Sequence, residues 1–209
     1  MDPEVTTLGG DDPNNPFGHL VQPQPLTLRC KIVLLGDPAV GKSSLAHVFQ
    51  GGTQQFPKNY NMTLGIDLIV KRVNIPDTNV VVEMYIVDCG GFSIGQDLKP
   101  HWENANAFMF VYDISSPTSF QNLASWYDSL KADRAGSAIT GLVVASKMDL
   151  AERPGVVSEE QGKQFSQEKG LEFFDVCANT GNVDAPFNFL AGVHYDKYKE
   201  RKAELENLR

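Results

Sequence analysis

Gly36-Asp37-Pro38-Ala39-Val40-Gly41-Lys42-Ser43 spells G-x-x-x-x-G-K-S, a pattern whose residue types suit the cradling of phosphate groups. The run Arg29–Leu35 before it reads as a buried strand, and Ser43–Phe49 after it reads as the start of a helix. In that setting successive backbone N–H groups surround the phosphates and Lys42 reaches the terminal ones. The Ser43 hydroxyl is then free to ligate Mg2+, and the helix N-terminus adds its positive end. A glycine-rich turn with a chance lysine would not bring strand, spacing and helix into agreement. Asp37, Pro38, Ala39, Val40, Gly41, Lys42, Ser43 and Ser44 are therefore expected to contact a nucleotide.

Two further groups fall at the ends of expected strands, where an open parallel sheet binds its ligands. Asp88-Cys89-Gly90-Gly91 gives D-x-x-G. An acid there can hold Mg2+, directly or through water, while the Gly91 N–H can approach a terminal phosphate. Ser146-Lys147-Met148-Asp149 follows a later strand. A carboxylate at Asp149 can accept from N1 and the exocyclic amine of guanine. Adenine offers no matching pair of donors, and an unpaired buried carboxylate is costly. Cys177-Ala178-Asn179 follows the last expected strand, where a backbone N–H could meet the base oxygen.

The elements that position these groups can be read from apolar spacing. Helix one is expected to stop at Gly51-Gly52, followed by a long polar connection over Thr53–Thr63. Gly65–Ile75 and Val80–Asp88 are β-rich and joined by Pro76-Asp77-Thr78-Asn79, which predicts an antiparallel hairpin. Strands are predicted at Ala107–Asp113, Thr140–Ser146 and Leu171–Cys177. Helices are predicted at Pro117–Ala132, Ser158–Glu168 and from Asp184 almost to the C-terminus. Ser116-Pro117 and Ser158-Glu159-Glu160 supply helix starts. Strands alternating with amphipathic helices predict an α/β fold, a mostly parallel sheet covered on both faces.

Composition narrows the class. At 209 residues the chain suits about one domain with tails. Residues 1–27, rich in Pro, Gly, Asp, Asn and Gln, read as a flexible acidic tail, and 28–209 as the domain. A formal net charge of −8 argues against general nucleic-acid binding. Cys30, Cys89 and Cys177 are scattered and suit reduced thiols in an intracellular protein, and the four histidines form no metal cluster. No apolar run approaches the roughly 20 residues of a membrane span, and no signal peptide is evident.

Together these motifs resemble the Ras-like small GTPases, and Rab-type members in particular, over about Arg29–Tyr198. The resemblance implies a three-layer P-loop NTPase fold (a Ras-like G domain with a six-stranded sheet) and GTP or GDP with Mg2+ as cofactors. It assigns Ser43, Thr63 and Asp88 to the metal, and Lys42, Thr63 and Gly91 to catalysis. Lys147, Asp149, Ala178 and Asn179 are assigned to the base. Phe56 and Tyr60 match family aromatics that cover the base and close over the phosphates, with ordinary packing as the alternative for each.

Departures from the family pattern are informative. Phe92 stands where well-hydrolysing members carry the glutamine that orients water, which predicts slow hydrolysis. Gln96 could replace it only if the geometry were rebuilt. Pro38 replaces a small residue, Ser146 an asparagine, and Cys177 and Asn179 a serine and a lysine, so the base pocket is expected to be looser. No cysteine follows Cys177, so no C-terminal prenyl anchor is expected. On the last helix Phe187, Leu190, His194 and Tyr198 could form one face, with Leu205 and Leu208 beyond. That helix is either a packed element with a solvated end or a partner-binding helix.

Gly36–Lys42, Asp67–Lys71, Pro76-Asp77-Thr78 with Val82-Glu83, and Asp184–Phe187 are similar to the Rab-like 4 group, the small GTPases of intraflagellar transport complex B. That resemblance implies a heterodimer with the small jelly-roll subunit, docked through the last helix, and attachment to the coiled-coil core subunits. It implies residence in the cytoplasm, the cilium or flagellum and its base. The alternative is a cycling Rab-type GTPase of vesicle traffic that relies on an activating protein.

Overall fold

From Ile32 to Leu35 the side chains on both faces of β1 (Leu26–Leu35) are apolar and buried, which suits a strand held between two layers. In a computed structural model, which describes residues 24–59, 62–63, 65–90, 99–134 and 137–208, that strand lies inside a six-stranded sheet. The other strands are β2 (Gly65–Asn74), β3 (Val80–Gly90), β4 (Ala107–Asp113), β5 (Gly141–Ser146) and β6 (Glu172–Asp175). Their order is β2-β3-β1-β4-β5-β6, with every neighbouring pair parallel except β2 and β3. The hairpin thus supplies one antiparallel edge strand, as its short turn predicted.

Five α-helices are found among the described residues: α1 (Lys42–Gly51), α2 (Lys99–Trp102), α3 (Pro117–Asp133), α4 (Glu159–Lys169) and α5 (Asp184–Asn207). Alternation along β1 divides the core. Cys30, Ile32 and Leu34 pack with Leu45 and Phe49 of α1 and Phe187 and Leu190 of α5. Val33 and Leu35 face the other way, toward Leu123, Trp126 and Leu130 of α3. The rings of Phe49 and Phe187 stack 3.9 Å apart, fastening α1 to α5. Each such side chain buried from water contributes about 1.5–3 kcal/mol before entropy is counted.

Local chemistry sets the helix ends. Ser116 Oγ accepts from Ser119 N–H with Pro117 at the first helical position, and Ser158 and Gln161 form a reciprocal capping box at α4. All three cysteines are free and buried, and burial pushes the thiols of Cys30 and Cys89 up to about 12 and about 11. Cys30 and Cys89 pack in the core as small apolar side chains.

Several boundaries differ from the sequence reading. β1 begins at Leu26, where Leu26 N–H donates to Asn79 O, so Leu26 and Thr27 of the expected tail are strand residues. β6 ends at Asp175 rather than at Cys177, because the backbone leaves the ladder and pairs Cys177 with Asn182 across a tight turn. The four-residue α2 was not anticipated. No helix among the described residues is long and apolar enough to cross a membrane.

Candidate functional site

The ends of β1, β3 and β5 lead onto one groove, and the loop joining β1 to α1 forms its floor. Gly41 lies at φ +104°, a left-handed conformation, and a Cβ there would stand 2.8 Å from Ser146 Oγ at the end of β5. Lys42 follows and is 5% exposed. Its Nζ donates to the carbonyls of Gly36 (2.8 Å) and Asp37 (2.9 Å), so the ammonium is held over the loop. Burial pulls the Lys42 pKa below its ordinary value, opposed by Asp88, Cys89 and Asp37.

Three hydroxyl and carboxylate groups from distant stretches meet beside Lys42. Ser43 Oγ donates to Asp88 Oδ2 and lies 2.8 Å from Thr63 Oγ1, which itself donates to Asp88 Oδ2 at 3.4 Å. A Cβ on Gly90 would fall 2.0 Å from Thr63 Cβ, so glycine is required there for Thr63 to approach. Asp88 is fully buried, and its second oxygen, Oδ1, has no hydrogen-bond partner among the described residues. A buried carboxylate oxygen left unpaired is expensive, and a hard cation with oxygen ligands would relieve it. Ser43, Thr63 and Asp88 are therefore a donor set that fits Mg2+.

The loop residues divide by orientation. Pro38, Ala39, Gly41 and Ser44 line a cavity of about 180 Å3 together with Lys42, Ser43 and Thr63. Val40 points into the core, so only its backbone can face a ligand. Asp37 turns its carboxylate away from the cavity, toward α3. Phe56 both packs on the core and lines this cavity, so its two readings coexist.

A second cavity, about 290 Å3, continues the groove and shares Gly41, Ser44, Phe56 and Lys147 with the first. Asp149, Ala178, Asn179 and Ser146 complete it. Lys147 sits at φ +66° and its Nζ pairs with Asp113 Oδ2 at 2.6 Å. Asp113 Oδ1 accepts from both the N–H and Oγ–H of Ser115. Burial alone would raise the Asp113 pKa, but these bonds and the Lys147 charge hold it below the ordinary carboxylate value. The Cys177 thiol donates to Asp149 Oδ1 at 3.4 Å.

Tyr60, Gly91, Phe92 and Gln96 lie outside the described residues. Every other candidate borders the groove or its floor. The sequence reading missed Asp113 and Ser115 behind Lys147, and Asn122 and Trp126 behind Asp37. Asp113 had a visible signal, a carboxylate ending an apolar strand; the α3 residues had none.

The Ras family pattern matches residues 31–194, which span nearly all of the sheet, the groove and the first part of α5. The chain belongs to the Ras family. Within it the similarity is to Rab-like members. The mouse intraflagellar transport protein 27 homolog is 38% identical over 176 residues, covering 83% of this chain and 94% of that protein. Intraflagellar transport protein 27 of Chlamydomonas reinhardtii is 33% identical over 186 residues, covering 87% and 91%. The Trypanosoma brucei brucei homolog is 30% identical over 186 residues, covering 88% and 100%. Ras-family GTPases bind GTP and GDP with Mg2+, and the groove has the phosphate loop, the oxygen donors and the base cavity in the corresponding order.

Proposed function

We propose that this protein is a GTP-binding, Rab-like subunit of the intraflagellar transport machinery, acting by nucleotide-dependent assembly and hydrolysing GTP slowly. The observation that carries the nucleotide reading is the meeting of Ser43, Thr63 and Asp88 beside Lys42, with Asp88 Oδ1 buried and unpaired. In this reading Lys42 leaves the Gly36 and Asp37 carbonyls for the β- and γ-phosphates. Ser43, Thr63 and Asp88 hold the metal, which when bound offsets charge on the phosphate oxygens. Asp149 accepts from guanine, Ala178 and Asn179 border the base, Phe56 covers it, and Tyr60 closes over the phosphates. Gly91 and Thr63 sense the terminal phosphate, so its loss releases the loops that bear them. Phe92 has no group to orient an attacking water, which leaves hydrolysis slow.

The transport assignment is supported by the similarity to intraflagellar transport 27 proteins. The proposed partner surface is the far half of α5. Phe187 and Leu190 are buried and His194 and Tyr198 half-buried, whereas Lys199–Leu208 are all exposed, with Leu205 at 60% and Leu208 at 83%. Such an overhang suits docking of the small jelly-roll transport subunit, with the coiled-coil subunits of complex B as further contacts.

Separating the nucleotides released from the purified, denatured protein tests the proposal. Mostly GTP is expected. Mostly GDP would replace it with a cycling GTPase of vesicle traffic, and no guanine nucleotide would overturn it. Truncation after Tyr195 should abolish co-elution with the jelly-roll subunit while nucleotide binding survives.

A further inference from the structure

Asp37 is the second residue of the phosphate loop, yet its carboxylate does not face the phosphate cavity. Oδ2 accepts from Asn122 Nδ2 at 2.7 Å and Oδ1 accepts from Trp126 Nε1 at 2.9 Å, so both oxygens are tied to α3. On the other side of the same residue, the Asp37 carbonyl accepts from Lys42 Nζ at 2.9 Å. We propose that Asn122 and Trp126 are positioning residues: they grip Asp37 so that the phosphate loop keeps its nucleotide-ready shape, and they thereby slow nucleotide release. The proposal rests on the nucleotide reading above.

Three physical points carry it. The loop contains Ala39 at φ +64° and Gly41 at φ +104°, left-handed conformations that persist only when the surroundings hold them. Lys42 holds the loop through the Gly36 and Asp37 carbonyls, but it must leave them to meet phosphate oxygens. The hydrogen bonds to the Asp37 carboxylate are then what keeps this residue in place, and bonds to a charged acceptor are the stronger kind.

The second point is charge. A free Asp37 carboxylate rotating toward the cavity would stand among phosphates and repel them. Gripped by a neutral amide and a neutral indole, it keeps its charge on the α3 side of the loop. The third is the rigidity of the support. α3 is capped by Ser116, and Leu123, Trp126 and Leu130 are buried in the core beneath it, with Trp126 only 2% exposed. The donors therefore sit on a fixed element rather than on a loop.

The test is release of a fluorescent N-methylanthraniloyl GDP, chased with excess GDP. Asn122→Ala, at a half-buried position, should speed release about tenfold, the scale of one hydrogen bond to a charged group. Trp126→Phe keeps the ring, removes the N–H, and should do the same. The decisive measurement is a double-mutant cycle. In an Asp37→Ala background Asn122→Ala should have no further effect, because its action passes through Asp37; a general loosening of α3 would still add. Unchanged release, or full additivity in the cycle, overturns the positioning role while leaving nucleotide binding intact. A wild-type chain that does not bind the fluorescent GDP overturns the nucleotide reading, and the positioning role with it.

Discussion

At the phosphate end of the groove Lys42 and Asp88 are buried, and Ser43, Thr63 and Asp88 stand within hydrogen-bonding reach of one another. At the base end Asp149 is exposed and receives a thiol hydrogen bond at 3.4 Å. Sulfur is a weak donor, and Ser146 is shorter than the asparagine its position usually carries. The contrast teaches where the grip on nucleotide resides. Charge–charge contacts gain strength as water is excluded, so buried groups at the phosphates hold more tightly than an exposed carboxylate at the base. On the proposed nucleotide reading, affinity is expected to concentrate at one end, with modest base discrimination at the other.

Variants at the two ends should therefore behave unequally. The largest effect is expected from Ser43→Asn, which removes the hydroxyl that meets both Thr63 and Asp88. Calorimetry should show Mg2+-GTP affinity falling about 100-fold, or about 2.7 kcal/mol, and retained affinity would move the metal elsewhere. Asp149→Ala should cost only about tenfold, with guanine-over-adenine preference nearly lost; a loss as large as at Ser43 would erase the contrast.

Cys177→Ser sharpens the comparison from the other direction. A hydroxyl donates more strongly than a thiol, so competition binding should show GDP affinity rising about threefold. The smallest effect belongs to Asp113, which lies behind Lys147 and not against the cavity. Its folded pKa lies below the ordinary 3.8, so the stabilisation it gives is complete above that value. It is lost as pH falls through the lower, folded value. Asp113→Asn should flatten the acid limb of thermal stability below about pH 4 and change neutral-pH nucleotide affinity about twofold at most.

Much of this protein could be read from neighbouring residues. The phosphate loop is eight consecutive positions, so its chemistry and its strand–loop–helix setting are visible without a fold. The antiparallel hairpin and the starts of α3 and α4 were equally legible, because turn residues, a capping serine and a proline act over one to four positions. Element ends were less so. Nothing in Leu171–Cys177 marks Asp175 as the last ladder residue, since the strand stops where the backbone turns away to pair Cys177 with Asn182.

What the tertiary structure decided is where side chains at long separation point. The family pattern grouped Ser43, Thr63 and Asp88, but only the fold brings their oxygens together across 20 and 45 residues and leaves Asp88 Oδ1 unpaired. The Lys147–Asp113 pair spans 34 residues, and the bonds from Asn122 and Trp126 to Asp37 span 85 and 89. In sequence Asp37 is one more loop residue beside a nucleotide. Its carboxylate is turned toward α3 because packing on the β4 side of the sheet sets two N–H donors within 3 Å of it, and no local rule encodes that distance.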